Sequence, residues 1–193
     1  MTRRLLTALL LAIVAVLPAR AGETLLWEDG KPEVVLGAYF DEAGLDTLLE
    51  GEPPDTLTVY LVMWNAGTRY EGNVMALEYR IDLPEGVSLV GQSEVPEYTN
   101  LAMGSVLEGF TQAILDKPGD GLLVNTLHLA VTGPVAYDAR IRVMSHPGTG
   151  LLRYVHRTGG EQIVGMHLMV GRDAILNPKV TEAEQSWKPV RSR

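Results

Sequence analysis

Three groups of residues in this chain are of types that could do chemistry. His128, His146, His156 and His167 offer imidazoles for metal ligation or proton transfer. Glu78, Arg80 and Asp82 alternate along one stretch, and Asp138, Arg140 and Arg142 along another, which could build a charged recognition face. Tyr60 and Trp64 share a parity, and along a strand their rings would sit roughly 13 Å apart, a spacing suited to stacking on successive sugars.

None of these groups assembles a catalytic constellation in the sequence. There is no cysteine, which removes thiol catalysis, thiolate metal sites and disulfides together. The chain has no Gly-x-Ser-x-Gly elbow, phosphate loop, His-Glu-x-x-His helix or EF-hand loop. Carboxylates are too plentiful for spacing alone to nominate a glycosidase pair. If Gly159-Gly160 centres a two-residue hairpin, Leu152 rather than His156 lies opposite His167, so no zinc site is expected there. Residues 116–121, Asp-Lys-Pro-Gly-Asp-Gly, read as a turn and lack the alternating oxygen ligands and closing Glu of a calcium loop. No metal, no cofactor and no enzymatic activity are expected.

The elements that must position these residues are strands. Thr56 to Trp64 alternates with Leu57, Val59, Leu61 and Met63 on one side, while Tyr60, Val62 and Trp64 make the other side largely apolar too. Over residues 75–83, Met75, Leu77, Tyr79, Ile81 and Leu83 share one parity and the charged Glu78, Arg80 and Asp82 the other, a half-buried strand. Further strands are expected over 33–40, 87–90, 122–131, 135–144, 151–156 and 162–170, and over 105–115, whose apolar spacing also fits a short helix but whose context favours a strand, with turns at Asn65-Ala66-Gly67-Thr68 and Pro84-Glu85-Gly86. Residues 45–49 could form a short helical turn, and residues 91–104 read as a polar connection. About eight or nine short strands without a long helix make a sandwich or jelly roll rather than a βαβ sheet. Its core should include Leu57, Val59, Leu61, Leu77, Tyr79, Ile81, Leu127, Leu129, Ile141 and Val143.

Residues 1–21 carry Arg3 and Arg4, an apolar run from Leu5 to Leu17, and Ala19-Arg20-Ala21, the layout of a cleaved secretory signal peptide. Residues 22–171 then form a single β-sandwich domain and 172–193 a C-terminal tail anchored by Trp187. The chain is expected to be exported, to periplasm, cell surface or medium, with no transmembrane segment after signal cleavage. A net charge of −8, made more acidic by loss of three leader arginines, disfavours nucleic acid.

The run Leu57-Thr58-Val59-Tyr60-Leu61-Val62 with Asn65, then residues 75–87 (Met-Ala-Leu-Glu-Tyr-Arg-Ile-Asp-Leu-Pro-Glu-Gly-Val), resembles the opening strands of cohesin-like modules. The glycine-led run from Gly121 to Val131 is similar to their penultimate strand, and the likeness spans residues 34–170. The chain also resembles largely uncharacterised secreted bacterial β-sandwich proteins that pair a signal peptide with one such domain. The resemblance implies an all-β, immunoglobulin-like or jelly-roll sandwich of about nine strands that presents a flat sheet face to a protein partner. Related carbohydrate-binding modules bind polysaccharide instead. The expected function is therefore a non-catalytic secreted interaction domain that binds an extracellular or envelope protein through Glu78, Arg80, Asp82, Asp138, Arg140 and Arg142. The alternative is a carbohydrate-binding module with Tyr60 and Trp64 as its platform.

Overall fold

The computed structural model describes residues 33–66, 72–94, 97–158 and 163–179. Residues 1–21, where a signal peptide is expected, Gly67-Thr68 and Gly159-Gly160, where turns are expected, and Trp187 lie outside the described residues. Two sheets pack face to face as a β-sandwich. The smaller has five strands in the order β12 (Val170–Arg172), β1 (Val35–Tyr39), β3 (Thr56–Trp64), β8 (Leu122–Val131) and β5 (Val87–Glu94). The larger runs β11 (Ile163–Leu168), β10 (Arg153–Thr158), β4 (Gly72–Asp82), β9 (Ala139–Met144), β13 (Ala174–Leu176) and β2 (Leu48–Leu49). On the other edge of β4 lies β7 (Gly109–Pro118), with β6 (Thr99–Ser105) beyond it.

Alternation builds the core. All ten residues expected inside are buried, with Val59, Leu61, Tyr79, Leu127 and Ile141 fully so. Tyr79 meets Phe110 edge to face at 5.5 Å, and its hydroxyl accepts a 3.1 Å hydrogen bond from the Nδ2 of buried Asn125, which gives the phenol and the amide nitrogen a partner inside the apolar layer. β3 is covered on both sides: Leu57, Val59, Leu61 and Met63 face the core, while Val62 and Trp64 join Tyr39 in a second cluster behind the sheet.

The structure departs from strict alternation where strands bulge. Val74, not Met75, enters the core, because the registers of both β7 and β10 with β4 slip at Met75. Residues 45–49 are not helical. Asp41 Oδ1 accepts from the amides of Leu45 at 2.8 Å and Asp46 at 2.6 Å, and the chain then enters β2, which pairs in parallel with β13. Residues 91–104 are not a plain connection either: β5 runs on to Glu94 and β6 begins at Thr99, leaving a hairpin turn where strand 105–115 was expected to start. The strand expected over 135–144 starts only at Ala139, since Asp138 adopts a positive φ of 57° and Tyr137 stands 66% exposed. Beyond residue 171 the chain is no pure tail: Arg172 closes β12, and Ala174 and Leu176 of β13 are buried in the core.

β9 and β10 lie end to end along one edge of β4, β9 opposite Arg80 to Asp82 and β10 opposite Gly72 to Glu78. Residues 145–152 loop out between them and are closed by an antiparallel bridge from His146 to Leu151.

Candidate binding face

The outer surface of β6, β7, β4, β10 and β11 is laid out by register. One cross-strand row reads Leu101, Ala113, Ala76, Val155 and Met166. The next reads Met103, Thr111, Glu78, Arg153 and Leu168. Five strands at a spacing of about 4.8 Å make each row roughly 19 Å long. Small alanines lie near the middle of the first row, while Leu101, Met103, Met166 and Leu168 stand at the two ends with 53–56% of their surface exposed. Leu115 of β7 adds a further apolar side chain at 51%. Four large apolar groups flanking a low centre on one sheet are an arrangement that isolated surface leucines do not make.

A charged centre interrupts the second row. Arg153 Nε donates to Glu78 Oε2 at 2.7 Å, and Thr149 Oγ1 of the 145–152 loop reaches the same oxygen at 3.3 Å. The hydrogen bond from Arg153, helped by the nearby charges of Arg153 and His146, holds the Glu78 carboxyl below its usual range. His146 in turn packs against the β6–β7 turn: a Cβ at Gly109 would lie 2.8 Å from its Nε2. The loop thus borders the face beside Glu78.

Of the six charged residues expected to form a recognition face, five share the outer side of the larger sheet. Glu78, Arg80 and Asp82 follow one another along β4, with Asp82 in register opposite Arg142. Arg140 lies on β9 and pairs with Asp173 at 3.7 Å, a carboxyl whose ionisation burial disfavours. Asp138 does not belong to the face. It sits in the turn before β9, where its Oδ1 accepts from the Lys179 amide at 2.9 Å. The apolar ends of the two rows were not recognised in the sequence, and the signal that would have found them is the register itself.

Tyr60 and Trp64 lie on the outer side of the other sheet. Trp64 is buried at 6% exposure beside Tyr39 and Val62, and Gly44 of the β1–β2 loop lies against its indole Nε1. The two rings do not form an exposed planar pair.

The histidines also fall differently from expectation. Tyr154, not Leu152, is opposite His167, and His156 is opposite Gly165. A register shift at His156 brings the rings of His156 and His167 to 4.6 Å, next to Tyr154, on the core side of β10 and β11. Burial, and secondarily His167, lowers the His156 pKa. Among the described residues no group of three or more His, Asp or Glu side chains is placed to hold a metal ion. The 116–121 segment continues the β7 ladder to Pro118 and bends only at residues 119–121.

No family model matches the chain, and no curated protein matches it in sequence. Matching solved structures include the third cohesin of ScaC from Acetivibrio cellulolyticus, in complex with the ScaB dockerin. That match has a TM-score of 0.45 and 9% identity and covers 75% of this chain and 96% of that one. They also include the sixth cohesin of scaffoldin B from the same organism, in complex with a dockerin. Here the TM-score is 0.48 and the identity 11%, over 76% of this chain and 99% of that one.

Proposed function

We propose that the chain is an exported, non-catalytic interaction domain that binds a protein partner through the outer face of β6, β7, β4, β10 and β11. The observation that supports this reading is the pair of cross-strand rows. Their half-exposed Leu101, Met103, Met166 and Leu168 flank a shallow alanine centre, with the Glu78–Arg153 pair beside it. Met and Arg are enriched at protein interfaces, and an Arg–Glu pair held between exposed apolar side chains offers a partner both apolar area and a charged group that fixes register. Arg80 and Arg142 extend the same face with donors for carboxylates or carbonyls. Burial of Trp64 removes the stacking platform that a sugar-binding reading requires, which favours the protein.

Capture of partners from the envelope and medium of the native host tests the proposal. The wild-type chain is compared with Ala76→Arg and Leu168→Glu, each of which places a charge on the face without touching the core. Both variants should melt like wild type and lose the captured protein. Undiminished capture by both would sink the proposal, and retardation of the wild type on polysaccharide gels, abolished by a Tyr60 variant, would replace it with the carbohydrate reading.

A further inference from the structure

Methionines are distributed unevenly over the molecule. Met63 and Met169 are buried, at 0% and 6% exposure, whereas Met103 and Met166 stand 54% and 55% exposed at opposite edges of the binding face. Met75 at the β4 bulge and Met144, in register opposite Arg80, are half-buried on or beside the same sheet. Thus every described methionine outside the core belongs to a strand of the larger sheet. Methionine suits such a face because its flexible, polarisable side chain adapts to a partner's contours. The same thioether is the most readily oxidised group left in a chain without cysteine.

We propose that Met103 and Met166 form an oxidation-sensitive pair: a face oxidised while free does not take its partner. The inference rests on the binding reading above. The oxidant is hydrogen peroxide. A sulfur lone pair attacks one peroxide oxygen, the O–O bond breaks, the thioether gains that oxygen as a sulfoxide, and water leaves. Reduction by a dithiol reverses the step, with the sulfoxide oxygen departing as water while the two thiols become a disulfide. Each sulfoxide puts a strong acceptor where the interface requires an apolar group, and an unmatched acceptor in a desolvated contact opposes binding. Exposure makes the reaction selective, since Met63 and Met169 are screened by the two sheets.

The test begins with a hydrogen peroxide titration of the free chain, read by peptide mass spectrometry, melting, and binding of anilinonaphthalene sulfonate as a probe of exposed apolar surface. Met103 and Met166 should each gain one oxygen before Met63 and Met169 do, the melting temperature should hold, and dye binding should fall. Capture of the partner should weaken about tenfold or more for each methionine that the interface buries. The double variant Met103→Leu, Met166→Leu should keep its dye binding and its partner through the same treatment. Oxidation of all described methionines at one rate, or unchanged dye binding and capture after both exposed thioethers have reacted, would overturn the inference. If Ala76→Arg and Leu168→Glu leave capture intact, the binding reading itself falls. If they abolish capture while the oxidised pair preserves it, only the methionine inference falls.

Discussion

At the residue scale, burial separates side chains that hold the fold from those left exposed on the proposed binding face. Leu127 is fully buried, so Leu127→Ala should cost about 2–5 kcal/mol in denaturant unfolding. Arg153→Ala breaks an ion pair whose partners keep about a fifth of their side chains in water, and should cost no more than about 1 kcal/mol. A larger loss would mean that the Glu78–Arg153 pair is structural. His156 gives a pH dependence of definite sign. Its folded pKa lies below the unfolded value of about 6.5, so the unfolded chain binds the extra proton first. Its contribution to stability is complete above that value and declines as pH falls below it. Glu78, also lowered, acts in the same direction but in the carboxylate range, and Asp173, raised by burial, acts in the opposite direction, so the histidine is isolated by comparing wild type with a His156 variant between about pH 5 and 7.5. The wild type should lose more stability over that window than His156→Gln. Parity made core residues such as Tyr79 and Ile141 legible in the sequence, because each lies in a run with one clean apolar side. It could not show that His156 meets His167, since a single register shift decides which rings converge.

At the element scale, what escaped the sequence are strands with no apolar parity of their own. β6 has a mostly exposed chain and among the described strands pairs only with β7, so its composition reads as a connection even though it supplies two of the exposed apolar groups of the candidate face. β13 is three residues long and buries only Ala174 and Leu176. If β13 belongs to the core, Leu176→Ala should destabilise by about 2–5 kcal/mol, and a shift within about 0.5 kcal/mol would return the segment to a tail. The 145–152 loop depends on a close approach. Gly109 has a φ of 129°, and a Cβ there would also meet Pro147 at 2.9 Å. Gly109→Ala should therefore cost more than about 1 kcal/mol and disturb the loop beside Glu78, measurable as a lowered melting temperature together with weaker capture. The candidate site was half legible for the same reason. Alternation put Glu78, Arg80, Asp82, Arg140 and Arg142 on one side of the chain, but only the pairing of five strands set Leu101 and Met166 in line with Ala76.

At the scale of the whole molecule, the chain closes on itself. β1 pairs in parallel with β12, and β2 with β13, so the first and last described strands of each sheet lie side by side. Such distant pairings form late, since their loop-closure entropy must be met before the contacts repay it, and folding is expected to be slower than for a sandwich of local hairpins. The same two pairs bear on how the domain would carry a load. Tension applied at the two ends pulls parallel neighbours in opposite directions along their own axes, so the backbone bonds of β1–β12 and β2–β13 are strained together, in shear, rather than one after another. The antiparallel β10–β11 hairpin, pulled from its open end, would instead unzip bond by bond. A domain joined through its termini to a chain under tension would hold longest in the direction in which its sequence runs.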